Sequence, residues 1–198
     1  AYPDEQLIDP KIHINKVFTL FYQERELGFI FKGEQHDFWE ATYVDSGVLY
    51  TIIDNVGYKL KQGDIIFYNK NQHHIQWGDP EIHVCFLTIS FDMSLDESSV
   101  LSNKKFKVED DLYNILCNII KENDNEYIYK DDMIIGYLKE FIIKLLRNEK
   151  SKVEYKKKTT SIQYKAENSI VSKTIEYIRM NIDKKLNIQI IADNIPIS

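Results

Sequence analysis

From Lys11 to Met93 the sequence is cut into short runs of β-branched and aromatic residues by turn-forming clusters, and beyond Phe106 its apolar period changes to that of a helix. No other feature limits the fold as much. The runs cover residues 17–22, 29–32, 38–44, 48–53, 58–61, 65–68 and 82–91. They are divided by Asp45-Ser46-Gly47, Asp54-Asn55-Val56-Gly57, Gln62-Gly63-Asp64 and Gly78-Asp79-Pro80. Closely spaced strands with this punctuation predict a barrel or sandwich rather than a parallel α/β sheet.

After residue 106, Val108, Leu112, Ile115, Leu116, Ile119 and Ile120 recur at helical spacing, with Glu109-Asp110-Asp111 in the first turn where carboxylates favour the helix dipole. A second helix is predicted over roughly 131–148, with Ile134, Tyr137, Leu138, Phe141, Ile142 and Leu145 along one stripe. Its acidic start (Asp131-Asp132) and basic end (Lys144, Arg147) suit the same dipole. Gly136 weakens that helix or admits a close neighbour. Two such helices carry more apolar surface than one small barrel covers, which predicts a homodimer interface built chiefly from the 131–148 stripe.

The chain has 198 residues, room for one large domain or a domain with an appendage. At 43% hydrophobic and 13% aromatic residues it can bury a core, which excludes a disordered chain. Cys85 and Cys117 sit in no metal-binding spacing and read as buried thiols of a cytoplasmic protein. No apolar run is long enough to cross a bilayer, so no membrane partner is expected. The start, Ala1-Tyr2-Pro3-Asp4-Glu5, lacks the layout of a signal peptide and an initiator Met, as in a trimmed segment. Charge is uneven. Residues 1–149 hold 15 Lys/Arg against 26 Asp/Glu, a net of −11, whereas residues 150–198 hold 10 against 5, a net of +5. An acidic body with a basic tail reads as two parts, the tail being either the nucleic-acid candidate or a solvated linker.

Residues 150–167 are a linker by composition. Beyond them Ile170, Val171, Thr174, Ile175 and Ile178 form a helix stripe that Asn168 or Ser169 can cap, and Asn187 opens a short helix carrying Ile190, Ile191 and Ala192. Asn194-Ile195-Pro196-Ile197 reads as a turn, and Ser198 as the N-cap of a further helix.

The chemistry is concentrated in Gly33-Glu34-Gln35-His36-Asp37-Phe38-Trp39-Glu40, echoed by Gly63-Asp64 and His73-His74. Glu34, His36 and Glu40 are separated by even numbers, so on one strand all three share a face. Phe38 shares it, and Trp39 alternates outward. Ionisable groups aimed inward need a pocket or a metal to justify them. His36, Glu40 and His74 would make a two-His, one-carboxylate set of the kind that holds Fe(II), and Glu34 is a competent ligand beside them. The same positions can instead line an organic-ligand pocket, and Glu40 can serve structurally by accepting hydrogen bonds. Trp77, beside a Gly-Asp-Pro turn, can stack on a sugar ring at the mouth or simply pack. Tyr68 and His73 flank the second motif, and His13 and His83 have no partners at meaningful spacing. There is no phosphate loop, no GxSxG elbow and no Cys/His nucleophile pattern, so no catalysis and no cofactor is expected.

These motifs resemble the cupin β-barrel, in which a His-x-His-x3-Glu strand faces a later Gly-Asp…His strand. Glu34 stands where the first His usually does, while His36, Glu40 and His74 match. The whole chain resembles the AraC-type transcription regulators. Ile175-Glu176-Tyr177-Ile178, then Leu186, Ile188, Ile191, Ala192, Ile197 and Ser198, fit the opening of that family's DNA-binding domain, and residues 138–147 resemble the helix before its linker. The resemblance implies a mostly β, cupin-type barrel followed by helices, α+β overall, with a partial helix-turn-helix at the C-terminus. It divides the chain into an effector-binding barrel (1–106), a helical dimerisation region (107–149), a linker (150–167) and a truncated first helix-turn-helix (168–198). It implies a cytoplasmic, ligand-responsive regulator that senses a small molecule, with a sugar as one candidate class, in a pocket of Glu34, His36, Phe38, Glu40, Tyr68, His74 and Trp77. DNA would be the partner of the full-length homodimer. Because the chain stops where the first recognition helix would begin, Lys156-Lys157-Lys158 is expected to give only weak, salt-sensitive DNA binding. The rival reading is a metal-dependent cupin enzyme using His36, Glu40 and His74.

Overall fold

The structure, a computed structural model, describes residues 8–95, 100–151 and 174. Among the described residues, strands β1 (Ile12–Arg25), β2 (Ile30–Glu34), β3 (Trp39–Ser46), β4 (Val48–Ile53), β5 (Val56–Lys61), β6 (Asp64–Tyr68), β7 (His74–Gly78), β8 (Val84–Leu95) and β9 (Lys105–Lys107) precede α1 (Asp110–Asn123). A second helix, α2, covers residues 130–151. The strands form a five-stranded sheet ordered β1-β8-β3-β6-β9 and a four-stranded sheet ordered β2-β7-β4-β5, with all pairings between these strands antiparallel.

The expected barrel is not closed. Closure would need the edge strands to pair across the sheets, but among the described residues β1 pairs with β8 alone and β5 with β4 alone. The sheets are instead stacked through side chains, with Val44, Leu49, Leu60, Ile66 and Phe86 in the layer between them. Two strands lie outside the runs read from sequence: β7 falls between the runs at 65–68 and 82–91, and β9 falls at the boundary where the helical period begins.

The five-stranded sheet is buried on both faces. Val44, Ile66 and Phe86 point between the sheets. Their neighbours Tyr43, Ile65, Phe67, Leu87 and Ile89 point to the other side, where they meet Leu112, Ile115 and Ile119 of α1 and Leu138, Phe141 and Ile142 of α2. This explains Trp39. It does alternate away from Glu40, but the outward face is itself core, and Trp39 is only 2% exposed.

The same packing corrects the dimer argument. Ile134, Leu138, Phe141, Ile142 and Leu145 are buried within the chain by its own sheet and α1, so the stripe is not left for a second copy. A Cβ at Gly136 would meet open space among the described residues, so none of them makes the close approach expected there. Cys85 and Cys117 are free and half-buried rather than buried. The chain divides by its contacts into Ala1–Leu146 and Arg147–Ser198, and the sheets and α1 lie in the first unit. The linker expected over 150–167, except residues 150–151, and the helices expected over 168–198, except residue 174, lie outside the described residues. No helix among the described residues is long and apolar enough to cross a membrane.

Candidate metal centre

Glu34 closes β2, His36 lies in the link to β3, Glu40 is the second residue of β3, and His74 opens β7. One continuous strand through Glu34 and Glu40 was expected, and it is not found. The β2–β7 ladder slips between Phe31 and Glu34, and residues 35–38 form no strand. Gly33 accounts for the break. Its φ is +102°, and a Cβ there would collide with the Ile75 side chain and the His74 carbonyl oxygen. Bare backbone lets β2 close on β7 where Glu34 pairs with His74. The link is then tied back. The Asn71 N–H donates to the His36 carbonyl at 2.7 Å, and Gln35 Nε2 donates to the Asn71 carbonyl at 2.9 Å. Asn71 supplies the left-handed φ of +63° in this turn.

The broken strand still delivers all four side chains to one point. Ligand atoms of Glu34, His36, Glu40 and His74 all lie within 4.8 Å of one another. Glu40 stands between the imidazoles, with Oε2 at 3.6 Å from His36 Nε2 and Oε1 at 3.6 Å from His74 Nε2. Glu34 Oε1 is 3.6 Å from the same His74 nitrogen. Both Nδ1 atoms face backbone carbonyls, His36 to Phe38 at 2.9 Å and His74 to Gln72 at 3.3 Å. A carbonyl only accepts, so each Nδ1 carries a proton, and each Nε2 offers a lone pair when the ring is neutral. Those two Nε2 atoms are buried and have no hydrogen-bond partner. Outer contacts brace the acid: Ser90 Oγ donates to Glu40 Oε2 at 3.2 Å, and Thr19 Oγ1 donates to Ser90 Oγ at 2.6 Å.

Electrostatics follows from this arrangement. Burial alone would lower the His36 pKa, but the neighbouring Glu40 carboxylate holds it above the ordinary imidazole value. Burial alone would raise the Glu40 pKa, and the two histidines pull it below the ordinary carboxylate value. Two carboxyl groups facing two imidazoles make a donor set that a divalent cation would complete.

The donor set fits a divalent transition metal. Metal–ligand bonds of about 2.1 Å place tetrahedral ligand atoms about 3.4 Å apart, close to the 3.6 Å separations here. Imidazole and carboxylate suit Fe(II), Mn(II) or Zn(II), and no thiol takes part. Nδ1–H groups bonded to carbonyls are the outer-shell contacts that fix metal-ligating histidines.

A cavity of about 240 Å³ between the sheets adjoins the cluster, lined by Glu34, Glu40, Phe38 and Gln76 together with Phe21, Gln23, Phe86 and Ser90. A larger one, about 390 Å³, lies beside β1 and α2 away from these donors. Of the other residues read from sequence, Tyr68 joins the cluster. It is fully buried, its ring stacks on His74 at 4.0 Å, and its hydroxyl accepts from Gln76 Nε2 at 2.8 Å. Burial raises its pKa, so it stays a neutral phenol. Phe38, expected buried, is half-buried and stacks on His36 at 3.9 Å. Trp77 is not brought to the site. It alternates to the far face of β7 and stacks on Tyr50 at 5.6 Å. Gln76, Ser90 and the β1 wall were missed. Gln76 had a signal, standing two residues from His74 on a strand.

No family model matches this sequence, and no curated protein matches it. Among solved structures it is similar to ToxT from Vibrio cholerae at 18% identity and TM-score 0.43, covering 70% of this chain and 57% of that one. It is similar to a predicted oxalate decarboxylase from Thermotoga maritima at 17% identity and TM-score 0.36, covering 38% and 67%. A cupin protein from Bacteroides fragilis gives 19% identity and TM-score 0.32, covering 37% and 62%. This chain thus spans 57% of the length of ToxT and 62% of that of the Bacteroides protein. Likeness of this depth carries no function across, and the site's own geometry has to supply it.

Proposed function

We propose that this chain is the sensing part of a ligand-responsive transcription regulator of AraC type, in which Glu34, His36, Glu40 and His74 hold a divalent metal and the adjoining cavity takes a small organic effector. One observation carries the reading: two buried histidine nitrogens without a hydrogen-bond partner stand 3.6 Å from carboxylate oxygens beside a cavity. Buried polar atoms without partners are costly, and a metal would satisfy both at once. The regulator assignment draws its support from the order of motifs in the sequence.

When bound, the metal would supply a positively charged centre able to accept an oxygen or nitrogen of the effector. The chain's own residues decide where that happens. His36, Glu40 and His74 have side chains at most 8% exposed, whereas the Glu34 side chain is 46% exposed. Glu34 is therefore the ligand that yields, and the effector enters on its side. Phe38 and Phe86 surround the apolar part of the effector, while Gln76 and Ser90 offer hydrogen bonds. Glu34 sits at the end of β2, which among the described residues is an edge strand paired with β7. Displacing it would shift that strand, giving two states whose different affinities for the effector constitute the signal.

A second reading, a metal-dependent enzyme, is favoured by the same yielding position beside a cavity. Incubating the metal-loaded protein with the small molecule that co-purifies separates the two. A sensor returns it unchanged and changes its own protection from proteolysis. Conversion of the molecule to product, abolished by Glu40→Gln, would replace the sensor with the enzyme.

A further inference from the structure

We infer that the outer face of the five-stranded sheet carries a second, separate site: an aromatic cage for a small N-methylated ammonium ion. A cavity of about 190 Å³ opens where α1 meets β1 and β3, lined by Tyr22, Tyr43, Tyr113, Asp45, Leu116, Cys117 and Ile120. Tyr43 and Asp45 both come from β3 and line this one cavity, Asp45 where the β3–β8 register shifts between Val44 and Ser46. The Tyr43 and Tyr113 rings stand 6.1 Å apart at 45°, two walls meeting at a corner. Tyr22 closes another side and donates its hydroxyl to Asp45 Oδ2 at 2.7 Å. Burial and then the Asp45 charge raise the pKa of Tyr22 and Tyr43, and the Cys117 thiol and then Asp45 raise that of Tyr113. All three rings thus remain neutral phenols.

The chemistry of the lining selects the ligand. Among the described residues no lysine, arginine or histidine is paired with Asp45, whose carboxyl group stands beside three rings. An anion is repelled. A neutral apolar molecule leaves the carboxylate uncompensated. A compact inorganic or primary ammonium ion would lose its water against Leu116 and Ile120, which offer no hydrogen bonds. An ammonium ion carrying methyl groups spreads its charge, is held by the faces of aromatic rings, and gains from the same apolar walls. This site uses none of the residues of the metal-competent cluster and stands whether or not a metal binds there.

The test is a titration of the 198-residue chain with choline and with choline's uncharged tert-butyl analogue, read by amide and methyl resonances in NMR. Choline should shift resonances of Tyr22, Tyr43, Tyr113, Leu116 and Ile120 and bind about tenfold or more tightly than the analogue. Asp45→Asn and Tyr113→Ala should each weaken choline about tenfold, while Tyr113→Phe, which keeps the ring, should hold its affinity. Tyr113 is well exposed, and thermal unfolding of each variant checks that it still folds. Equal binding of choline and the analogue would overturn the cage. So would shifts confined to other residues, no binding of choline, or a Tyr113→Phe loss as large as that of Tyr113→Ala.

Discussion

Replacing Gly33 with Ala tests whether one bare backbone position builds the metal-competent cluster. A residue with a side chain held near φ +102° costs about 1–3 kcal/mol in backbone strain. The added Cβ would also meet the His74 carbonyl oxygen and the Ile75 side chain, and overpacking of that kind adds about 1–3 kcal/mol. Together these give roughly 2–6 kcal/mol, and at roughly 2–4 °C per kcal/mol for a chain of this size the midpoint should fall roughly 4–24 °C. The chain can relieve the clash by easing β2 away from β7, which carries Glu34 away from His74. Metal affinity should therefore drop about 10–100-fold, the range seen when a metal ligand loses its support. The control is Gly136→Ala, where the new Cβ meets open space in a helix and should stabilise by about 0.4–1 kcal/mol. Thermal unfolding and calorimetric metal titration read both effects. An unchanged midpoint for Gly33→Ala, or a fallen midpoint with unchanged metal affinity, would refute the role assigned to Gly33.

Three further predictions follow from the packing and the site. Leu138→Asp buries a charge at a position 1% exposed and should cost at least about 4 kcal/mol, unfolding the chain rather than splitting a dimer; circular dichroism with light scattering would contradict this by showing a folded monomer of native stability. Ser90→Ala removes the hydroxyl that donates to Glu40 and should weaken metal about tenfold while costing about 1 kcal/mol of stability, read by titration and denaturant melts. Metal affinity should be highest above the raised His36 pKa and fall about tenfold per unit as pH drops through it, because the proton competes for Nε2. Glu40, its pKa held low, stays ionised across that window. An affinity flat from pH 8 to pH ~6 would contradict the placement of His36 among the ligands.

Much of the site was legible because its residue types are chemically unambiguous: Glu34, His36, Glu40 and His74 could be picked out before any fold was known. The strand carrying His74 was hidden by its polar inward face. In His74-Ile75-Gln76-Trp77-Gly78 the polar residues point inward and the apolar ones outward, the reverse of the alternation that announces a half-buried strand. The cavity wall from Phe21 and Gln23 depends on β1 pairing with β8, a contact between distant segments that leaves no local mark. The α2 stripe was readable as a helix face, but sequence periodicity cannot tell whether such a face is covered by its own sheet or by a second copy. Trp39 carries the same lesson, since alternation gives the direction of a side chain and not what waits there.

Elemental analysis of the chain decides whether Glu34, His36, Glu40 and His74 hold a metal. Protein purified without chelators and dialysed against Fe(II), Mn(II) or Zn(II) should retain about one divalent ion per chain, the number one cluster of four ligands can hold. The double variant His36→Ala, His74→Ala should retain none while still folding on its two-sheet core. Metal content in the wild-type chain no higher than in that variant would contradict the account.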